Sequence, residues 1–440
     1  MKMPATGKTK DQVSSEIQEE LANDADWRGG KIWSLVYFAG DDVADVIRDA
    51  YSRAIYTNGL GPGAFKSLQK FESEVIAMTA NLLGHPDAVG NMTTGGTESI
   101  LMGVKAARDR AREERDVTAP EMVLPITAHP AFDKAAQYLG VKAVHIPLRD
   151  DLRADVDAAR DAITSSTVLI VGSAPNYPFG TIDPIPELAA LAEERGINCH
   201  VDACLGGFLL PFLPRVGYEV PPWDFSVPGV SSISADLHKY GYSARGSSTI
   251  MYRDRGLRRH QFFAQTDWPG GLYGSPTMTG SRPGGAIAAS WAVLNFLGED
   301  GYTRLAEDIM KTTTALTEGI NAIPELKVLG EPDMSVFSFT SDVIDIYAVT
   351  EALEKTGWHP DRQQLPPSLH LMVTPVHGPI VEPFLAAVRD AVAASAGGEP
   401  AAGSRAAFYG MLGTVEDRSI VRNVIIDFID KLTQVESEVA

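Results

Sequence analysis

The chain has 440 residues, 44% of them hydrophobic, with 57 acidic against 38 basic side chains and a formal net charge of −19. A chain this long and this apolar exceeds one ordinary core, so it predicts a large domain plus a smaller one and argues against wholesale disorder. The acidic balance argues for a soluble protein and against nucleic acid as a partner.

Cys199 and Cys204 are the two cysteines. They are too few for a disulfide framework and lack zinc spacing, so the expected compartment is a reducing cytoplasm and no metal is expected. The opening stretch, "MKMPATGKTKDQVSSEIQEEL", lacks the apolar segment of a signal peptide. Runs such as "VLIVG" and "GGFLLPFL" are far too short to span a membrane. The first 25 or so residues read as a polar arm or a helix that docks on a partner subunit.

Over residues 41–56, Val43, Val46, Ile47, Ala50 and Ala54 recur at helical spacing. A clearer stripe, Leu68, Phe71, Val75, Met78 and Leu82, ends at Gly84-His85-Pro86. Between them lies the glycine-rich "TNGLGPG". Another helix is predicted from Thr97 to about Arg115, with "TTGG" just before it. Short apolar runs at 122–126, 141–146, 168–171 and 198–201 then alternate with helical segments near 131–139, 155–163 and 184–195. That alternation predicts an α/β fold with a mostly parallel sheet covered on both faces.

Two more strands are predicted near 231–235 and 248–252. From about Pro283 the texture changes to helices over 283–297, 301–318, 380–395 and 415–435, with strands near 334–340 and 369–374. This reads as a smaller α+β domain. "AASAGGEPAAGS" (393–404) reads as a linker or exposed turn. No internal repeat is visible. The expected division is an arm and helix over 1–60, a large domain over 61–282 and a small one over 283–440.

Four features carry chemistry. "NMTTGGTES" puts a glycine pair at a helix start, where backbone N–H groups and the helix dipole receive an anion. The plainer reading is an ordinary helix start capped by Thr97. His129 follows a strand at the carboxyl edge of the sheet, where α/β proteins bind ligands, although a lone histidine is more often structural. Asp202 ends an apolar strand, where it either caps a helix or meets a cation; the small Ala203 beside it would let a flat ring lie close. Lys239, in "SADLHKYGYSARGSS", is either a surface lysine or an amine able to form a Schiff base once partly desolvated. An anion cradle, a histidine, a carboxylate and a lysine, each at a strand end, are together the parts that hold pyridoxal phosphate.

With "TTGGTESI", "HPAFDKAA", "VDACLGGF", "SADLHKYGY" and "GGLYGSPTMTGSRPG" in view, the chain resembles the sphingosine-1-phosphate lyases. These are pyridoxal-phosphate enzymes of fold type I, related to the group II decarboxylases. The likeness runs from about Asn58 through "LPPSLHLMVTPVH". It implies a large domain with a seven-stranded, mostly parallel sheet, a small α+β domain, and a homodimer with shared active sites. It makes Lys239 the lysine joined to the cofactor, Asp202 the partner of the ring nitrogen, and His129 the residue stacked on the ring. Gly95, Gly96, Thr97, Cys204 and His238 would hold the cofactor, with Ser281 reaching it from the neighbouring subunit. Asn58 and Arg245 would meet the substrate, Arg245 standing where the lyases usually carry lysine.

The implied reaction cleaves the Cα–Cβ bond of a phosphorylated long-chain amino alcohol, giving a fatty aldehyde and phosphoethanolamine. One motif departs. The lyases typically read Asn-x-Leu-His-Pro-Asp where this chain reads Asn58-Gly59-Leu60-Gly61-Pro62-Gly63, so Gly61 lacks a phosphate-binding imidazole. A decarboxylase acting on an amino acid is the alternative on the same scaffold. A non-catalytic protein with a decayed site is a third reading, opposed by the intact Lys239, Asp202 and His129.

Overall fold

In the computed structural model the apolar stripes form helices and the short apolar runs form strands. The structure describes residues 2–61, 63–395, 405–432 and 434. Helix α1 (Lys10–Leu21) is exposed along its length, while α2 (Asp41–Arg53) buries Val43 and α3 (Lys66–Leu82) buries Leu68 and Val75. Strand β1 (Val89–Thr93) leads into α4 (Gly96–Arg115). The alternation then runs β2 (Glu121–Pro125), α5 (Ala131–Leu139), β3 (Lys142–Ile146), α6 (Val156–Ala162), β4 (Thr167–Ser173), α7 (Ile185–Glu194), β5 (Asn198–Asp202). Strands β6 (Val230–Ala235) and β7 (Ser248–Tyr252) bracket the Lys239 loop.

These strands make one sheet in the order β1-β7-β6-β5-β4-β2-β3. From β6 to β3 every pairing is parallel, and β7 lies antiparallel to both its neighbours. The loop from 236 to 247 forms turns and no helix, and β7 returns antiparallel beside β6. Alternate residues serve opposite faces. Val123, Ile170, Val201 and Ile233 pack with Leu188 of α7 on one side. Met122, Leu124, Leu169 and Val171 pack with Ile100 of α4 and Phe132 of α5 on the other. The mostly parallel sheet read from the hydrophobic runs is present.

Several elements were not legible as runs. β1 reads "VGNMT", interrupted by the poor strand residues Gly90 and Asn91, yet Gly90 is needed there because a Cβ would lie 2.4 Å from the Ile250 carbonyl. Helix α8 (Arg255–Arg259) and the hairpin β8 (Phe263–Trp268) to β9 (Gly271–Ser275) follow β7. The hairpin leaves Phe263, Trp268 and Leu272 exposed.

The helices expected at 283–297 and 301–318 are the two halves of α9 (Gly284–Asn321), which meet where Gly298 takes φ 57° and leaves the helical region. Beyond it, β10 (Lys327–Val328), β11 (Val336–Thr340), α10 (Ile346–Lys355), β12 (Asp361–Gln364) and β13 (Pro367–Met372) build a second sheet, antiparallel throughout, in the order β10-β11-β13-β12. Helices α11 (Val381–Ser395), α12 (Arg405–Thr414) and α13 (Arg418–Lys431) complete the described chain. The linker expected at 393–404 is helical to Ser395, and the rest lies outside the described residues. Among the described residues no helix is long and apolar enough to cross a membrane.

The segment after α1 is held by this chain's own second sheet. Trp33 is fully buried, stacked on His377 at 4.2 Å, and its carbonyl accepts from Met372 N–H at 2.8 Å. This anchoring carries Leu35 and Tyr37 to the rim of the crevice described next.

Candidate active site

A cavity of about 390 Å³ opens at the carboxyl ends of the parallel strands, between the two sheets. Ser173 ends β4, Asp202 ends β5, and Asp236 follows β6; all three line it. This is where open α/β sheets bind ligands, because strand ends and helix N-termini converge there.

Asp202 is buried, and parallel pairing sets its Cα opposite Ser234 of β6. Ser234 Oγ donates to Asp202 Oδ1 at 3.1 Å, and the Cys204 N–H donates to the same oxygen at 3.0 Å. His200, on the same face of β5, puts Nε2 3.2 Å from Ser234 Oγ and Nδ1 2.8 Å from Ser232 Oγ. Burial pushes the His200 pKa down to about 4, with Asp202 opposing. A neutral ring has one donor and one acceptor. Since Ser234 spends its proton on Asp202, Nε2 donates to Ser234 and Nδ1 accepts from Ser232. The chain of donors therefore ends on the Asp202 carboxylate. Sequence reasoning found Asp202 and missed Ser234 and His200, because the contact depends on strand register.

The turn after β6 carries His238 and Lys239. Lys239 Nζ lies 3.0 Å from Asp236 Oδ2, and His238 Nε2 lies 3.5 Å from it. His238 Nδ1 accepts the Ser247 N–H at 3.2 Å. Burial disfavours both charges, but the pairing outweighs it. Lys239 and His238 hold the Asp236 carboxyl below the usual carboxylate range. Asp236, with help from Asp202, holds the lysine's pKa above its ordinary value. Lys239 is therefore a partly buried, paired amine and not a free surface lysine. Asp236, within the quoted motif, was not singled out from the sequence.

The glycine pair opens α4. The helix starts after Gly95, and no side chain caps it, so the Thr97 cap is not what forms; Thr97 is exposed. Instead Glu98 turns back, accepting the Thr94 N–H and hydroxyl at 2.6 Å and the Thr279 N–H at 3.0 Å. This ties the loop to the strand end and leaves the first N–H groups of the helix without side-chain partners. Gly96 must lack a side chain, because a Cβ would fall 2.8 Å from Asp236 Oδ2 and from Cys204 Sγ.

His129 lies just before α5 with its Nδ1 accepting the Ala131 N–H at 3.1 Å, so its proton sits on Nε2. The ring is open toward the cavity, yet the surrounding protein still pushes its pKa below that of a free imidazole, Asp202 opposing. At the mouth, Arg245 places its guanidinium 5.4 Å from the Tyr37 ring centre and donates to the His238 carbonyl at 3.2 Å. Among the described residues no carboxylate stands within ion-pair distance of it, and its hydrogen bond goes to a backbone carbonyl. Tyr177 also lines the cavity, its hydroxyl donating to Asp361 at 3.1 Å and its ring stacked on His370.

Nine expected residues thus meet in one cavity: Gly95, Gly96, Thr97, His129, Asp202, Cys204, His238, Lys239 and Arg245. Asn58 and Ser281 do not. Asn58 Nδ2 donates to Ser281 Oγ at 2.9 Å and its Oδ1 accepts the Arg282 N–H, at a separate groove. Gly61 follows that loop and is likewise outside the cavity. Among the described residues no cluster could hold a metal ion.

The parts fit a flat, phosphorylated aldehyde. Free helix N–H groups and a side-chain-free cradle suit the phosphate, an amine suits the aldehyde, a hydrogen-bonded carboxylate suits a protonated ring nitrogen, and an imidazole flanks them. On this fold they define a pyridoxal-phosphate enzyme of fold type I. Residues 1–341 match the pyridoxal-dependent decarboxylase conserved domain. The chain is 45% identical to a sphingosine-1-phosphate lyase of Arabidopsis thaliana, over 95% of this chain and 79% of that protein. It also superposes on the structure of a sphingosine-1-phosphate lyase of Burkholderia pseudomallei with a TM-score of 0.91 at 38% identity, covering 99% of this chain and 97% of that one. A glutamate decarboxylase of Lactobacillus brevis, 18% identical with a TM-score of 0.78 over 91% and 96%, shares the fold. The chain belongs to the sphingosine-1-phosphate lyase family, within the pyridoxal-dependent decarboxylase group.

Proposed function

We propose that this protein cleaves the Cα–Cβ bond of a phosphorylated long-chain amino alcohol, yielding a fatty aldehyde and phosphoethanolamine, with pyridoxal 5'-phosphate as cofactor. The observation that carries it is the meeting, in one cavity, of paired Lys239, hydrogen-bonded Asp202 and an Arg245 that pairs with no carboxylate among the described residues. When bound, the cofactor supplies the sink for the electron pair released as the carbon–carbon bond breaks.

In this reading Lys239 holds the cofactor aldehyde and, once freed, is placed to return a proton to Cα. Asp202 keeps its charge against the ring nitrogen, steadied by Ser234 and the Cys204 N–H. His129, with its tautomer fixed by Ala131, lies on the ring face. Gly95, Gly96 and Thr97 offer backbone N–H groups to the phosphate, and His238 offers Nε2. Arg245 binds the substrate's own phosphate, where a charge-assisted contact gives both affinity and orientation.

Asn58 and Ser281 pair with each other outside this cavity, and the β8–β9 hairpin is uncovered. We propose that a second copy of the chain brings these residues to the site, making a homodimer with shared active sites in the cytoplasm. The working division is 1–60, 61–282 and 283–440, although residues 31–37 are held by the second sheet. The decisive experiment offers sphinganine phosphate against a panel of amino acids. Release of a long-chain aldehyde supports the reading, while carbon dioxide from an amino acid replaces it with decarboxylation.

A further inference from the structure

The cradle already holds a negative charge. Asp236 is 2% exposed and sits against the first turn of α4, so closely that a methyl on Gly96 would meet its two oxygens at 2.8 and 2.9 Å. One oxygen takes Lys239 at 3.0 Å, with His238 at 3.5 Å. The other, Oδ1, is buried and has no hydrogen-bond partner among the described residues. The buried acceptor therefore faces the place where an incoming phosphate would find its donors. Two anions in a cleft shielded from water repel strongly unless a cation lies between them.

We propose that Asp236 is the resident counter-anion of the phosphate end of this site: it positions Lys239 before the cofactor arrives, and its charge, balanced by that lysine, limits how tightly any phosphate settles at α4. It is a positioning residue, since it acts through Lys239 and through the field at the cradle. The inference rests on the cofactor-binding part of the functional reading and is independent of which substrate is cleaved.

Inorganic phosphate is the probe, titrated calorimetrically into cofactor-free protein, with the phosphate-induced rise in melting temperature as a second readout. Asp236→Asn is expected to bind phosphate about tenfold more tightly than the parent. Lys239→Ala leaves the carboxylate unbalanced and is expected to bind it at least about tenfold more weakly. The double variant should recover to within about threefold of the parent. Asp236→Ser, also neutral, serves the same arm if the asparagine variant does not fold. Phosphate binding that is unchanged or weaker in the neutral variants, with a double variant as weak as Lys239→Ala, would overturn the proposal and leave Asp236 a packing group. Failure of the lyase reading would appear separately, as absence of aldehyde product with these phosphate affinities unaltered.

Discussion

Ser234 and Asp202 stand opposite each other on neighbouring parallel strands, and the serine hydroxyl donates to the carboxylate at 3.1 Å. The bond comes at the end of a directed chain from Ser232 through neutral His200. Asp202→Asn removes the charge while keeping the shape. Turnover is expected to fall by at least about a hundredfold, as when a preorganised electrostatic contact is lost, with the cofactor still bound. Ser234→Ala should cost less, on the order of tenfold, because a single hydrogen bond is lost. Steady-state kinetics beside the cofactor absorption band checks both.

Lys239→Ala removes the amine that captures the cofactor and leaves the fold intact, since the side chain is not part of either apolar cluster. The covalent absorption band and turnover should both vanish while the circular dichroism spectrum is kept. Persistent turnover would refute the assignment.

Arg245→Ala takes a cation from the mouth without touching the Lys239–Asp236 pair. KM for the phosphorylated substrate should rise roughly ten- to a hundredfold, the worth of a charge-assisted hydrogen bond, with kcat changed much less. Arg245→Lys should recover part of the loss. An unchanged KM would show that the substrate phosphate binds elsewhere.

Gly61 has room for a side chain, because among the described residues a Cβ would meet only Phe65 Cδ2, at 3.9 Å. Gly61→His restores the group that the lyases typically carry and should tighten binding of phosphorylated substrate by about tenfold. Unchanged affinity would mean that this loop does not approach the substrate phosphate.

Asp183 is buried and accepts two backbone N–H groups, from Ala154 at 2.9 Å and Ser173 at 2.8 Å. Burial raises its pKa to about 6 against those bonds. A pKa above that of the unfolded chain means that the folded state holds the proton more tightly. Its contribution to stability is therefore full below about pH 4 and lost as pH rises through about 6. The stability of the parent relative to Asp183→Asn should fall by roughly 2 kcal/mol between pH 4 and 7 in urea unfolding. A difference that stays flat with pH would contradict the raised value.

Chemistry confined to one strand end was legible without coordinates. Lys239, Asp202 and His129 each sit where an apolar run stops, so their place at the carboxyl edge followed from the hydrophobic pattern, and the family likeness supplied the roles proposed for them. The resident carboxylate at 236 was overlooked because its meaning depends on how close it comes to Gly96. The hydroxyl of Ser234 was overlooked because only parallel pairing brings it to Asp202. Asn58 and Ser281, far apart in the chain, proved to be partners of each other.

The order of apolar runs by itself determined a mostly parallel α/β sheet with Lys239, Asp202 and His129 at one edge, because burial on both faces demands continuous apolar strands. Which of those side chains carry balanced charge, which oxygen is left without a donor, and which loop turns away from the cavity were decided by the tertiary structure alone. Such properties depend on separations of about three ångströms between residues distant in the chain, and hydrophobic patterning does not specify distances that short.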